Sequence, residues 1–124
     1  MKILAAETSD AMRQTLREVI EVLGHQAVEA SNAKEVLTAL TAHHPELALV
    51  VLQWDLPGSD GLGLLRRVLA DERFRSIPVM VILDPTCVAQ AIDAFQAGAA
   101  ECVSRAVNQQ DLLTRMMECL GRAA

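Results

Sequence analysis

Two kinds of hydrophobic pattern alternate along the chain. Short apolar runs fall at Ile3–Ala6, Ala27–Val28, Leu47–Leu52, Val79–Leu83 and around Cys102–Val103. The third and fourth are apolar on both faces, as parallel strands covered by helices should be. Between the runs, apolar residues recur at helical spacing. Met12, Leu16, Val19, Ile20 and Leu23 form one stripe, which stops at Gly24. Val36, Leu37 and Leu40 form a second, ended by Pro45, and Leu62, Leu65, Val68 and Leu69 a third. Val88, Ala91, Ile92 and Phe95 form a fourth, stopped by Gly98, and Leu112, Met116 and Leu120 the last.

The alternation predicts (βα)5 with short connections and no linker or repeat, one domain over residues 1–124. Right-handed crossovers then give an α/β fold, a doubly wound parallel sheet with helices on both faces. Ligands of such sheets sit at the carboxyl ends of the strands. That singles out Glu7 and Thr8, Gln53 to Asp55, Leu83 and Asp84, and Ser104 and Arg105. No GxGxxG or GxxxxGK[ST] appears, so dinucleotide and P-loop readings fail.

Composition narrows the class. A chain of 124 residues with 52% apolar content suits a packed core and excludes a disordered polar chain. No apolar run is long enough to span a bilayer and no basic-then-apolar leader opens the chain, so a cytoplasmic protein with no membrane contact is expected. The net charge of −5 argues against nucleic-acid binding, and the pair Arg66-Arg67 reads as a solvated helix face. Cys87, Cys102 and Cys119 are odd in number and lack CxxC spacing, so free thiols are expected, Cys102 and Cys119 in the core or on a helix face. His43-His44 reads as a solvated cap at a helix end. Trp54, the single tryptophan, is either packed on its loop or exposed.

The segments KILAAETSDAMRQTLREVIEVLG, WDLPGSDGLGLLRRV, IPVMVI and AFQAGAAECVSRAV, with Pro57, Asp60-Gly61 and the QAGA turn, cover nearly the whole chain. Together they resemble the receiver domain of two-component response regulators. The resemblance implies a flavodoxin-like sheet of order 2-1-3-4-5. It also implies a phosphoacceptor aspartate after the third strand and two acidic residues holding Mg²⁺ after the first. A Ser or Thr after the fourth strand and a Lys after the fifth would contact the phosphoryl group. These slots fall on Gln53, on Glu7 and Thr8, on Leu83 and on Arg105. Only Glu7 and Arg105 keep their chemical type. An acyl phosphate needs a carboxylate, which Gln53 lacks; Thr8 brings no charge to a metal; Leu83 offers no hydroxyl. The aromatic residue that moves with that hydroxyl in the family is Cys102 here.

The chain thus reads as a pseudo-receiver, not an enzyme, with no cofactor and no metal. The expected role is a phosphorylation-independent protein-interaction module in bacterial signalling, in a two-component or phosphorelay setting. It would dock a kinase or output domain, or form a homodimer. The resemblance places its interaction face on Gln90, Asp93, Gln96, Glu101, Cys102, Gln109, Gln110 and Arg115. At the emptied site, Arg105 is expected to pair with Glu7, and Asp55 to lend only its backbone carbonyl. Two rivals remain. One is a small-molecule or nucleotide-binding domain using Thr8, Gln53, Asp55, Asp84 and Arg105; the other is a weak receiver phosphorylated on Asp55.

Overall fold

The computed structural model describes residues 1–84, 86 and 88–122; Cys87, read above as a free thiol, lies outside them. Five parallel strands, β1 (Lys2–Ala6), β2 (Gln26–Ala30), β3 (Leu47–Gln53), β4 (Val79–Leu83) and β5 (Glu101–Ser104), form one sheet in the order β2-β1-β3-β4-β5. That is the doubly wound order expected. Helices α1 (Asp10–Val22), α2 (Ala33–His43), α3 (Gly61–Ala70), α4 (Val88–Ala97) and α5 (Gln109–Arg122) alternate with the strands.

Strand alternation divides the core into two layers. Ile3, Ala5, Leu49, Val51, Met80, Ile82 and Val103 point to one face, under Leu16 and Ile20 of α1 and Leu112 and Met116 of α5. Leu4, Ala6, Val50, Leu52, Val79, Val81 and Leu83 point to the other, under α2, α3 and α4. The central strands are thus apolar on both faces because both faces are covered.

Helix starts follow local chemistry. Ser9, Asn32 and Asp60 cap α1, α2 and α3, accepting from the amides of Met12, Glu35 and Gly63. Asn108 Oδ1 does the same for α5, 2.8 Å from the Asp111 amide. At the end of α4, Gly98 takes φ +112°, which turns the chain toward β5 at little steric cost.

Two expectations are corrected here. His43-His44 does end α2, with His43 in its last turn and His44 at the C-cap, but the pair is half-buried and not solvated. Lys2 Nζ lies 3.3 Å from His43 Nδ1, and the His44 ring meets Phe74 edge-on at 5.8 Å. The fourth stripe also divides. Val88, Ile92 and Phe95 are 70%, 52% and 50% exposed, while α4 rests on the sheet through buried Ala94 and half-buried Ala91 and Ala97.

Candidate functional site

Strand register assembles the site. Ala6 pairs with Leu52, Gln53 with Ile82 and Leu83 with Ser104, so Glu7, Gln53 and Arg105 emerge together at the carboxyl edge. Backbone bonds carry that alignment one residue further, from Glu7 N to Ala30 O, Trp54 N to Ile82 O and Arg105 N to Leu83 O.

Glu7 is fully buried, and a buried carboxylate must be paired and hydrogen-bonded. The Arg105 guanidinium meets that need, with Nη2 2.5 Å from Oε1 and Nη1 3.5 Å from Oε2. The Ser9 amide adds a third donor at 3.2 Å. Arg105 thus reaches inward from β5 to β1, and its fork spans both carboxylate oxygens.

Gln53 is 8% exposed and equally committed. Its Oε1 accepts from the Thr8 amide at 2.7 Å and from the Thr8 hydroxyl at 2.8 Å. Its Nε2 donates to the Asp55 carbonyl at 3.4 Å, so Asp55 contributes backbone here while its side chain stays exposed. Glu7 with Arg105 and Thr8 with Gln53 form two closed pairs. Leu83 is buried beside them, and Asp84 turns away, accepting from the Thr86 amide at 3.1 Å and hydroxyl at 2.9 Å. Those two bonds, with a smaller contribution from the Arg105 charge, hold the Asp84 carboxyl below its usual range.

This donor set does not fit a divalent metal. Mg²⁺ is held through carboxylates in an octahedral oxygen shell. The Glu7 carboxylate is engaged by a guanidinium, and the two neighbouring side chains are neutral and bonded to each other. Among the described residues no group of three or more His, Cys, Asp or Glu side chains gathers where a metal could be held.

Trp54 is buried, 7% exposed. Its ring lies over Gly61 so closely that a β-carbon there would overlap the indole and approach the Trp54 carbonyl oxygen to 2.5 Å. Glycine at the start of α3 is therefore dictated by the tryptophan, and Asp60 beside it by the cap.

The expected interaction face assembles only in part. Asp93, Gln96 and Arg115 are exposed and Gln90 and Cys102 half-buried. Glu101 is 8% exposed and forms an ion pair with Arg115 at 3.0 Å, so it anchors the face from beneath. Gln109 and Gln110 sit on the other side of α5. Gln109 donates to Glu18 of α1 at 2.8 Å, and both glutamines line a groove with Val19 and Val22. The physical reason is angular: at about 100° per residue, Gln109 and Gln110 stand roughly 120–140° round the helix from Arg115, on the side that meets α1.

What the polar reading missed is apolar. Val88, Ile92 and Phe95 stand outward beside β5, where a cleft of about 190 Å³ lined by Leu83, Val88 and Cys102 continues the surface. The signal available in the sequence was the run of alanines at 91, 94 and 97, which offered α4 a second face. Burial, and then the Glu101 charge, push the Cys102 thiol up to about 11. Neither Cys102, half-buried, nor Cys119, buried, is in a disulfide.

A family model described as "Response regulator receiver domain" matches residues 3–117. The chain is 30% identical over 122 residues to the chemotaxis protein CheY1 of Helicobacter pylori, covering 98% of each. It is also 30% identical to the transcriptional regulatory protein PhoP of Escherichia coli, of which it spans 53%. The solved response regulator receiver domain protein of Clostridium thermocellum superposes with TM-score 0.86 at 23% identity, over 98% of this chain and 94% of that one.

Proposed function

The chain belongs to the response regulator receiver domain family, and from that premise we propose that it is a pseudo-receiver, a protein-interaction module that works without phosphorylation. The carrying observation is Gln53 at the acceptor position, its amide oxygen held by both donors of Thr8. An amide is no nucleophile toward a phosphoryl donor. The neighbouring Arg105–Glu7 pair supplies internally the charge balance that a metal would otherwise provide. The domain therefore catalyses nothing. Leu83 and Cys102 leave no hydroxyl–aromatic relay, so its signal comes from binding and not from switching.

Its working surface is the face of α4, β5 and α5. Three large apolar side chains stand outward there beside Arg115, Asp93 and Gln96. Exposed apolar groups rimmed by polar ones mark protein-binding surfaces. The partner is a kinase, an output domain or a second copy, and the setting is bacterial two-component signalling in the cytoplasm. The two rival readings draw on side chains that are already engaged or turned outward. Thr8 and Gln53 bond each other, Arg105 bonds Glu7, and the Asp55 side chain is exposed.

Intact mass after acetyl phosphate with Mg²⁺ tests the central point: no added phosphate is expected, and a phosphorylated species mapped to Asp55 would overturn the reading. A saturable change in Trp54 fluorescence at millimolar Mg²⁺ would count equally against it. Gln53→Asp is expected to leave the amide spectrum of α4 and β5 nearly unchanged with beryllofluoride and Mg²⁺. Shifts spreading through that region would reveal a receiver disabled at one residue only.

A further inference from the structure

On the sheet face they share with α4, α2 and α3 border an open groove of about 720 Å³. Its floor is Leu37 and Leu64, with Ala33 between the helices, and its charged lining is Lys34 from the first turn of α2 and Arg67 from the last turn of α3. Thr38 and Thr41 also line it, but each donates its hydroxyl to a carbonyl of its own helix, at 3.0 and 2.9 Å. Among the described residues no carboxylate lines the groove.

That absence is informative because the chain has 16 acidic residues against 11 basic ones. Every other lysine or arginine whose side chain is described lies within 4.0 Å of a carboxylate, Arg66 excepted. The cations without an internal partner thus collect on these two helices. Lys34 also stands at the positive end of α2, where the helix dipole disfavours a cation and attracts an anion. Two unpaired cations over an aliphatic floor complement a segment carrying the opposite charge and an apolar anchor.

We propose that the α2–α3 groove docks an acidic amphipathic segment of a partner protein, with an aliphatic side chain on Leu37 and Leu64 and carboxylates on Lys34 and Arg67. None of the lining residues comes from α4, β5 or α5, so this site is distinct from the α4 face proposed above.

The experiment is selection of a phage-displayed random peptide library on the intact domain, with K34E/R67E kept out of the selection and used only afterwards. Amide shifts are then mapped with the best synthetic peptide. Expected are peptides with two or more Asp or Glu flanking Leu, Ile or Val, and shifts at Lys34, Leu37, Thr38, Ser59 and Arg67. The double variant should weaken binding on the order of tenfold or more while keeping the parent melting temperature. I92A/F95A should bind the peptide unchanged, which separates this site from the α4 face. Neutral or basic selected peptides, shifts centred on α4, or equal binding to K34E/R67E would each overturn the proposal. So would the same shifts produced by inorganic phosphate alone, or a dimer abolished by K34E/R67E.

Discussion

Helices α1 and α4 carry large apolar residues at the same helical spacing and present them in opposite directions. In α1, Leu16 and Ile20 are fully buried and Val19 is 2% exposed. In α4 the buried residue is Ala94, and Ile92 and Phe95 stay half exposed. Side-chain size explains the contrast. Alanines at 91, 94 and 97 let α4 lie close against the sheet and α3, and its bulkier residues then have nowhere to go but outward. Burying such a side chain stabilises a fold by roughly 1.5–3 kcal/mol. Leaving Val88, Ile92 and Phe95 in water forgoes that gain, which fits a surface completed by a partner.

The comparison can be broken at several points. Ile20→Ala should have the largest effect, a loss of about 2–5 kcal/mol in urea unfolding, since the side chain is sealed between α1 and the sheet. A value under ~1 kcal/mol would mean that α1 is not anchored by its stripe. Arg105→Ala should follow at about 3 kcal/mol, because Glu7 is left fully buried with its charge unpaired. Glu7→Gln with Arg105→Ala should regain part of that loss, and a double variant no better than the single one would contradict the pairing.

Ala94→Leu comes next, at about 1–3 kcal/mol, as overpacking lifts α4 from the sheet. If it is neutral, the inward face of α4 has been misjudged. Ile92→Ala should stay within about 0.5 kcal/mol of the parent, and it should weaken partner or self-association measured by ultracentrifugation or titration. Stability loss comparable to that of Ile20→Ala would erase the distinction between the two helices.

The smallest effect is a pH dependence at the edge of the α4 face. The Cys102 thiol is raised in the fold from 9.0 to about 11, so its contribution is complete below pH 9 and lost as pH rises through 11. Cys102→Ser should flatten that stretch of the urea midpoint against pH, and a slope unchanged by the substitution would contradict the raised thiol.

The sequence by itself determined the order of strands and helices, because continuous apolar runs and helical stripes are local signals with different periods. It also determined that an amide, Gln53, closes the third apolar run and a hydroxyl, Thr8, follows the first. Only the tertiary structure decided that Gln53 is held by both donors of Thr8. The pairing of Glu7 with Arg105, 98 positions away, is the one expected from the family resemblance, and it is realised because β1, β3, β4 and β5 align their ends. The tertiary structure decided as well which face of α4 is covered, which side of α5 holds Gln109, and that Lys34 and Arg67 flank one groove. Periodicity tells that a helix has two faces; which of them is buried depends on the space that neighbouring elements leave, and that space is not a local property of the chain.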